Sequence, residues 1–149
     1  MSASDNINLT KRWFREVWNE GKTQTIHELF SANGIGRGQT SGQGVIHGPK
    51  DFVPFVNQIR AAFPDIKITV EDAFGVDDKV VVRWSAAITH RGNDLGIPAT
   101  GKSVRITGIT IARIANGQII EGWDNWDQLG LMEQIGAYKA ETSGLAKSA

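Results

Sequence analysis

The sequence predicts an α+β domain: a bent antiparallel sheet of about four main strands plus an edge strand, packed on three N-terminal helices, with a short C-terminal helix. Two observations carry this. Apolar residues recur at helical spacing through the first half of the chain, and from Ile66 onward the period changes to two. Helices followed by a meander, with no βαβ alternation, define the class.

Leu9, Trp13, Phe14, Val17 and Trp18 share one face of an amphipathic first helix, with Lys11, Arg12 and Glu16 between them, and Asn19-Glu20-Gly21 reads as its glycine stop. Thr23 or Thr25 is the expected cap of a short second helix through Ile26, Leu29 and Phe30. Gly34 to Gly44, GIGRGQTSGQG, holds five glycines in eleven residues. It contains no GxxxxGK[ST], and no GxGxxG follows a strand and opens a helix, so a phosphate loop is not indicated. It reads as a mobile loop or irregular edge strand able to act as a lid.

His47-Gly48-Pro49 looks like a helix start. Phe52, Phe55, Val56, Ile59 and Phe63 continue its apolar face, and Pro54 implies a late start near Asp51 or a kink. Four strands are expected at Ile66–Phe74, Lys79–His90, Ser103–Ala115 and Gln118–Trp126, with Asn116-Gly117 as a tight type I′ hairpin. Asp127 to about Ile135 forms the last helix, and residues from Tyr138 to Ala149 read as a frayed tail of a single domain spanning 1–149.

The 149 residues carry no formal net charge and no cysteine. Disulfides, thiolate catalysis and cysteine–zinc sites are thereby excluded. Nothing in the balance or placement of Lys and Arg suits a phosphate backbone, so no nucleic-acid partner is expected. The N-terminus lacks a basic segment followed by an apolar run, and no apolar stretch approaches membrane-spanning length, so no membrane partner is expected and a cytoplasmic setting is the default. The three histidines, His27, His47 and His90, show no HxH or HExxH spacing, and no metal site is expected.

HGPKDF at His47 to Phe52, THRGNDLGIPATGK at Thr89 to Lys102 and IIEGWDNWDQLGLMEQIG at Ile119 to Gly136 give the chain its likeness to known proteins. With the helical front half and the meander, they resemble the nuclear-transport-factor-2-like superfamily, and within it the SnoaL-like polyketide (ester) cyclases, over nearly the whole chain. The resemblance implies a cone-shaped sheet closing an apolar cavity. It also implies cofactor-independent intramolecular aldol ring closure of a polyketide-like ester, with a small apolar or aromatic-polyketide-like molecule as partner. It assigns proton transfer to Asp124 and a pocket role to His90. The glutamine and histidine of the best-known cyclases fall here on Gly108 and Thr110.

Physical reasoning supports Asp124 independently. Trp123, Trp126 and the neighbouring strands offer an apolar surround, and burial raises a carboxylate's pKa toward the range useful to a general base. Asp127 caps the last helix in this reading. His90 is expected either to orient a substrate carbonyl or to hydrogen-bond Asp124. Trp84 and Ile88 share its strand face and, with Phe52, Phe55, Ile59, Thr110 and Trp126, are the candidate substrate-binding wall. Arg83 and Ser85 lie on the opposite face. A limonene-type epoxide hydrolase, on the same fold, needs an acid two residues after its arginine, where this chain has Ser85. Two rival readings remain: a related lyase, isomerase or dehydratase, and a non-catalytic carrier of a small apolar ligand. Ile109 and Ile111 on the uncovered sheet face point to a homodimer.

Overall fold

The computed structural model describes residues 2–40 and 44–138. Helix α1 (Ala3–Trp13) opens with a capping box in which Ser2 Oγ accepts from Asp5 N while the Asp5 carboxylate accepts from Ser2 N. It runs on into a π-helical segment, Phe14–Asn19. The predicted stop is present: Gly21 takes a left-handed φ of 69°.

Helix α2 (Thr23–Leu29) lacks the expected threonine cap. Lys22 occupies the N-cap without a side-chain bond, and Thr25 Oγ1 instead donates to Glu16 Oε1 at 2.8 Å, tying α2 to the first helix. Helix α3 (Gly48–Ala62) starts at Gly48, before the expected Asp51, and continues through Pro54. Pro54 stands on the exposed face. Asp51 Oδ2 accepts from the His47 N–H at 3.0 Å and so fixes the early start. A last helix, α4 (Gln128–Gln134), is capped by Asp127, whose carboxylate accepts from Gly130 N at 2.8 Å, as the sequence indicates.

Six strands form one sheet: β1 (Phe30–Arg37), β2 (Val45–His47), β3 (Lys67–Val76), β4 (Lys79–Thr89), β5 (Ser103–Ala115) and β6 (Gln118–Trp126), in the order β2-β1-β6-β5-β4-β3. The last four match the expected meander within two residues at each end. Asn116 (φ 52°) and Gly117 (φ 73°) make the β5–β6 hairpin, both in the left-handed region that a type I′ turn requires.

The glycine-rich stretch departs most from expectation. Its first part belongs to β1, which is internal and pairs parallel with β6, making the sheet mixed. Residues 41–43 of that stretch, and the tail from 139 onward, lie outside the described residues. Irregularities interrupt the ladders between Val70 and Asp72 and between Arg113 and Ile114, where bulges increase local twist. Helices α1 and α3 cover one face of the sheet, and no described helix is long and apolar enough to cross a membrane.

Candidate active site

Between the helices and the covered sheet face lies an apolar cavity whose wall is dominated by aromatic rings. Trp13 packs edge-on against Phe52 (centroids 5.1 Å apart) and Phe30, while Trp18 meets Phe52 and Phe55. Such edge-to-face contacts add roughly 0.5–1.5 kcal/mol each beyond area burial. From the sheet, the even-numbered positions of β4 and β5 supply Trp84, Ala86, Ile88, Ile106, Thr110 and Ala112, as period-two alternation requires.

Asp124 reaches this cavity from β6, opposite Thr110 in the β5–β6 register. The residue is half-buried, with its carboxylate turned into the cavity and pushed up to about 6, chiefly by desolvation; hydrogen bonds from Thr110 and Gln39 act the other way. Thr110 Oγ1 donates to Asp124 Oδ1, and Gln39 Nε2 donates to Oδ2 at 2.8 Å. Behind Thr110, the indole N–H of Trp84 donates to Thr110 Oγ1 at 3.0 Å.

Of the residues singled out from sequence, Phe52, Phe55, Ile59, Trp84, Ile88, Thr110, Asp124 and Trp126 converge on the cavity. His90 does not. It is fully buried beside Phe63 (centroids 5.7 Å), with Nδ1 3.1 Å from Thr100 Oγ1 and accepting from Thr100 N at 3.3 Å. Its backbone pairs with Gly101 and Lys102 and closes the base of the 91–102 loop. No His90–Asp124 hydrogen bond forms: the His90 ring meets Thr100 and Phe63, and Asp124 takes its donors from Thr110 on β5 and Gln39 after β1.

Arg83 and Ser85 face away from the cavity, as alternation implies. Ser85 Oγ donates to Glu71 Oε1 at 2.7 Å and accepts from Arg105 Nη2 at 3.3 Å. No cluster of potential metal ligands occurs among the described residues.

Gln39 is the site residue that the sequence reading missed. Two glycines allow its approach. A Cβ on Gly36 would lie 3.0 Å from Gln39 Oε1, and one on Gly38 would lie 1.9 Å from the Asp124 backbone oxygen. Gly38 also has φ 83°, and its carbonyl accepts from Trp126 Nε1 at 3.1 Å. A polar residue following GxG at the end of a strand, inside an otherwise featureless glycine run, was the available signal.

This architecture defines a class: a helix-covered bent sheet enclosing one ionisable group in a small-molecule cavity. The family model for SnoaL-like polyketide cyclases matches residues 8–135, and the chain belongs to that family. It is 30% identical over 135 residues to the aklanonic acid methyl ester cyclase DnrD of Streptomyces peucetius, covering 89% of this chain and 92% of that protein. Among solved structures, the SnoaL-like protein of Jannaschia sp. CCS1 superposes with a TM-score of 0.83 at 26% identity, covering 92% of this chain and 95% of the other. TsrD from Streptomyces laurentii gives a TM-score of 0.80 at 24% identity over 93% and 99% of the two chains, a likeness of fold alone.

Proposed function

We propose that this chain is a cyclase-type enzyme that closes a ring in a polyketide-like ester by intramolecular aldol condensation, with Asp124 as the acid/base group. The carboxylate takes a proton from the carbon beside the ester carbonyl. That C–H electron pair passes through the enolate into a new C–C bond at a second carbonyl, whose oxygen receives the proton back. The reaction moves protons and forms one bond with no change of oxidation state, so its electron balance calls for no cofactor.

The observation that carries this reading is a half-buried carboxylate, the one ionisable group among the described cavity-lining residues, held at a pKa suited to a base near neutrality beside aromatic rings. An aromatic substrate matches the wall, and Trp84, Ile88, Phe52, Phe55, Ile59, Thr110 and Trp126 would bound it. Ring closure leaves the mass unchanged, so the test is chromatographic: aromatic polyketide methyl esters are incubated with the protein and with Asp124→Asn. Product with the former and none with the latter supports the proposal. Equal turnover by both overturns it.

The second reading, a non-catalytic binding protein, draws on Gly108 and Thr110, which stand where the best-known cyclases place polar pocket residues. Saturable binding of the same esters with no product would favour it. We further propose that the uncovered sheet face makes a homodimer, as argued in the Discussion.

A further inference from the structure

The hydrogen bonds at Asp124 have a direction. An indole N–H can only donate, so Thr110 Oγ1 accepts from Trp84. The hydroxyl's one hydrogen is then committed to Asp124 Oδ1. At the other oxygen, only the amide nitrogen of Gln39 can donate to a carboxylate, and it does so at 2.8 Å. Among the described residues, this orientation leaves Gln39 Oε1 buried without a partner, in a residue only 6% exposed. An orphaned buried acceptor is costly and calls for a physical reason.

A proton arriving on Oδ1 would meet the Thr110 hydrogen, which has no second acceptor assigned to it. A proton arriving on Oδ2 would meet the Gln39 N–H, but a half-turn of the amide replaces that donor with Oε1. Only one of the two partners can therefore follow a change of protonation without breaking the chain to Trp84. No other ionisable side chain lines the cavity among the described residues. The first helix contributes Thr10, whose hydroxyl donates to Asn6 O, and α3 contributes apolar rings and Ile59. The charged groups of β1, β5 and β6 nearby in sequence, Arg37, Arg113 and Glu121, pair with one another outside the cavity.

We infer that Gln39 is a positioning residue whose amide inverts when Asp124 takes up a proton, so that the proton resides on Oδ2 and is held by Gln39 Oε1. The partnerless oxygen is thus the acceptor for the protonated state, present in advance. The glycines at 36 and 38 leave the room that this side chain occupies. The inference rests on the proposed acid/base role of Asp124 only for its catalytic meaning. The inversion itself concerns the unliganded protein.

The test is a side-chain NMR titration of the unliganded protein from about pH 4 to about pH 8, across the expected Asp124 midpoint. The Gln39 amide hydrogens should exchange one set of through-space neighbours for another, with the midpoint of the Asp124 carboxyl carbon. Thr110→Val, which removes a donor to the ionised form, should raise the Asp124 midpoint yet leave the Gln39 inversion in place. Gln39→Met, similar in size but without the amide, removes a partner of both forms, so it should move the midpoint less than Thr110→Val does. Amide hydrogens that keep the same neighbours throughout, or a midpoint raised in Gln39→Met as far as in Thr110→Val, would overturn the inference.

A second arm follows deuterium uptake at the acidic carbon of an aromatic β-keto methyl ester, methyl naphthoylacetate. In Gln39→Met the pH midpoint of exchange should move with that of Asp124, and kcat should change more than KM. Exchange by Asp124→Asn as fast as by the unaltered protein would sink the proposed function, while the NMR result would still decide the inversion.

Discussion

Trp84 lies across Gly108: a Cβ built on that glycine would sit 2.3 Å from the indole Cζ2. The same indole holds Thr110, so the absence of a side chain at 108 and the hydrogen bond at Asp124 are one arrangement. Gly108→Ala should therefore act twice. Overpacking in a filled site costs typically 1–3 kcal/mol, read as a lower urea midpoint. The displaced indole should also weaken the Thr110–Asp124 contact and raise the Asp124 midpoint in an NMR titration. An alanine variant with unchanged stability and unchanged midpoint would show that Trp84 yields freely.

The raised pKa of Asp124 makes stability depend on pH. The folded protein holds this proton up to about pH 6, the unfolded chain only up to 3.8. Between these values the folded state binds more protons, so stability falls as pH rises through that window, by about 3 kcal/mol in total. Asp124→Asn removes this slope. Its melting temperature should match or fall slightly below that of the unaltered protein at about pH 4, and exceed it above about pH 7. Parallel melting curves at all pH values would contradict the burial described here.

Activity should run the other way. A base must be ionised to accept a proton, so kcat/KM should rise through the Asp124 midpoint and level off above it. Loss in Asp124→Asn should be on the order of 10²–10⁴-fold, and visible in kcat. A rate that falls with rising pH through this range would exclude Asp124 as the base.

The uncovered sheet face bears a continuous apolar row. Phe74 pairs with Val81, Val81 with Ile111 and Ile111 with Trp123, so one row crosses four strands. Phe74 is 54% exposed, and Ile109 beside the row is 48% exposed. Two copies related by a two-fold axis would cover both rows at once. Sedimentation should give twice the 16.2 kDa chain mass, and Ile111→Lys should give the single mass with its fold intact by circular dichroism. A monomer at micromolar concentration for the unaltered protein would end this proposal.

The meander was legible because apolar residues alternate along much of β4 and β5 and the strands end in turn residues whose backbone demands are local. Asp127 was legible for the same reason, since a cap bonds a neighbour three residues on. What stayed hidden was non-local. Phe30–Arg37 has no alternating apolar pattern, and its strand is defined by pairing with β6 on one side and β2 on the other. Gln39 bonds a residue 85 positions away, and nothing in its immediate sequence encodes that distance. His90 shows the converse: it falls one residue past the end of β4, and the loop that closes over it decides what its ring meets.

The position of β6 has a consequence for synthesis. It is the last of the described strands to be made, yet it lies between the β1–β2 pair and the β3–β5 meander. Until it emerges from the ribosome, the two parts of the sheet share no ladder, and a wall rich in tryptophan and phenylalanine has no opposite side. Closing contacts of such long sequence separation is slow relative to local hairpins. A chain stalled before Gln118 would present that aromatic surface and two unpaired strand edges to solvent, the condition under which chaperones hold nascent proteins. Asp124 is carried on that same strand, so the acid enters the cavity only in the step that joins the two parts.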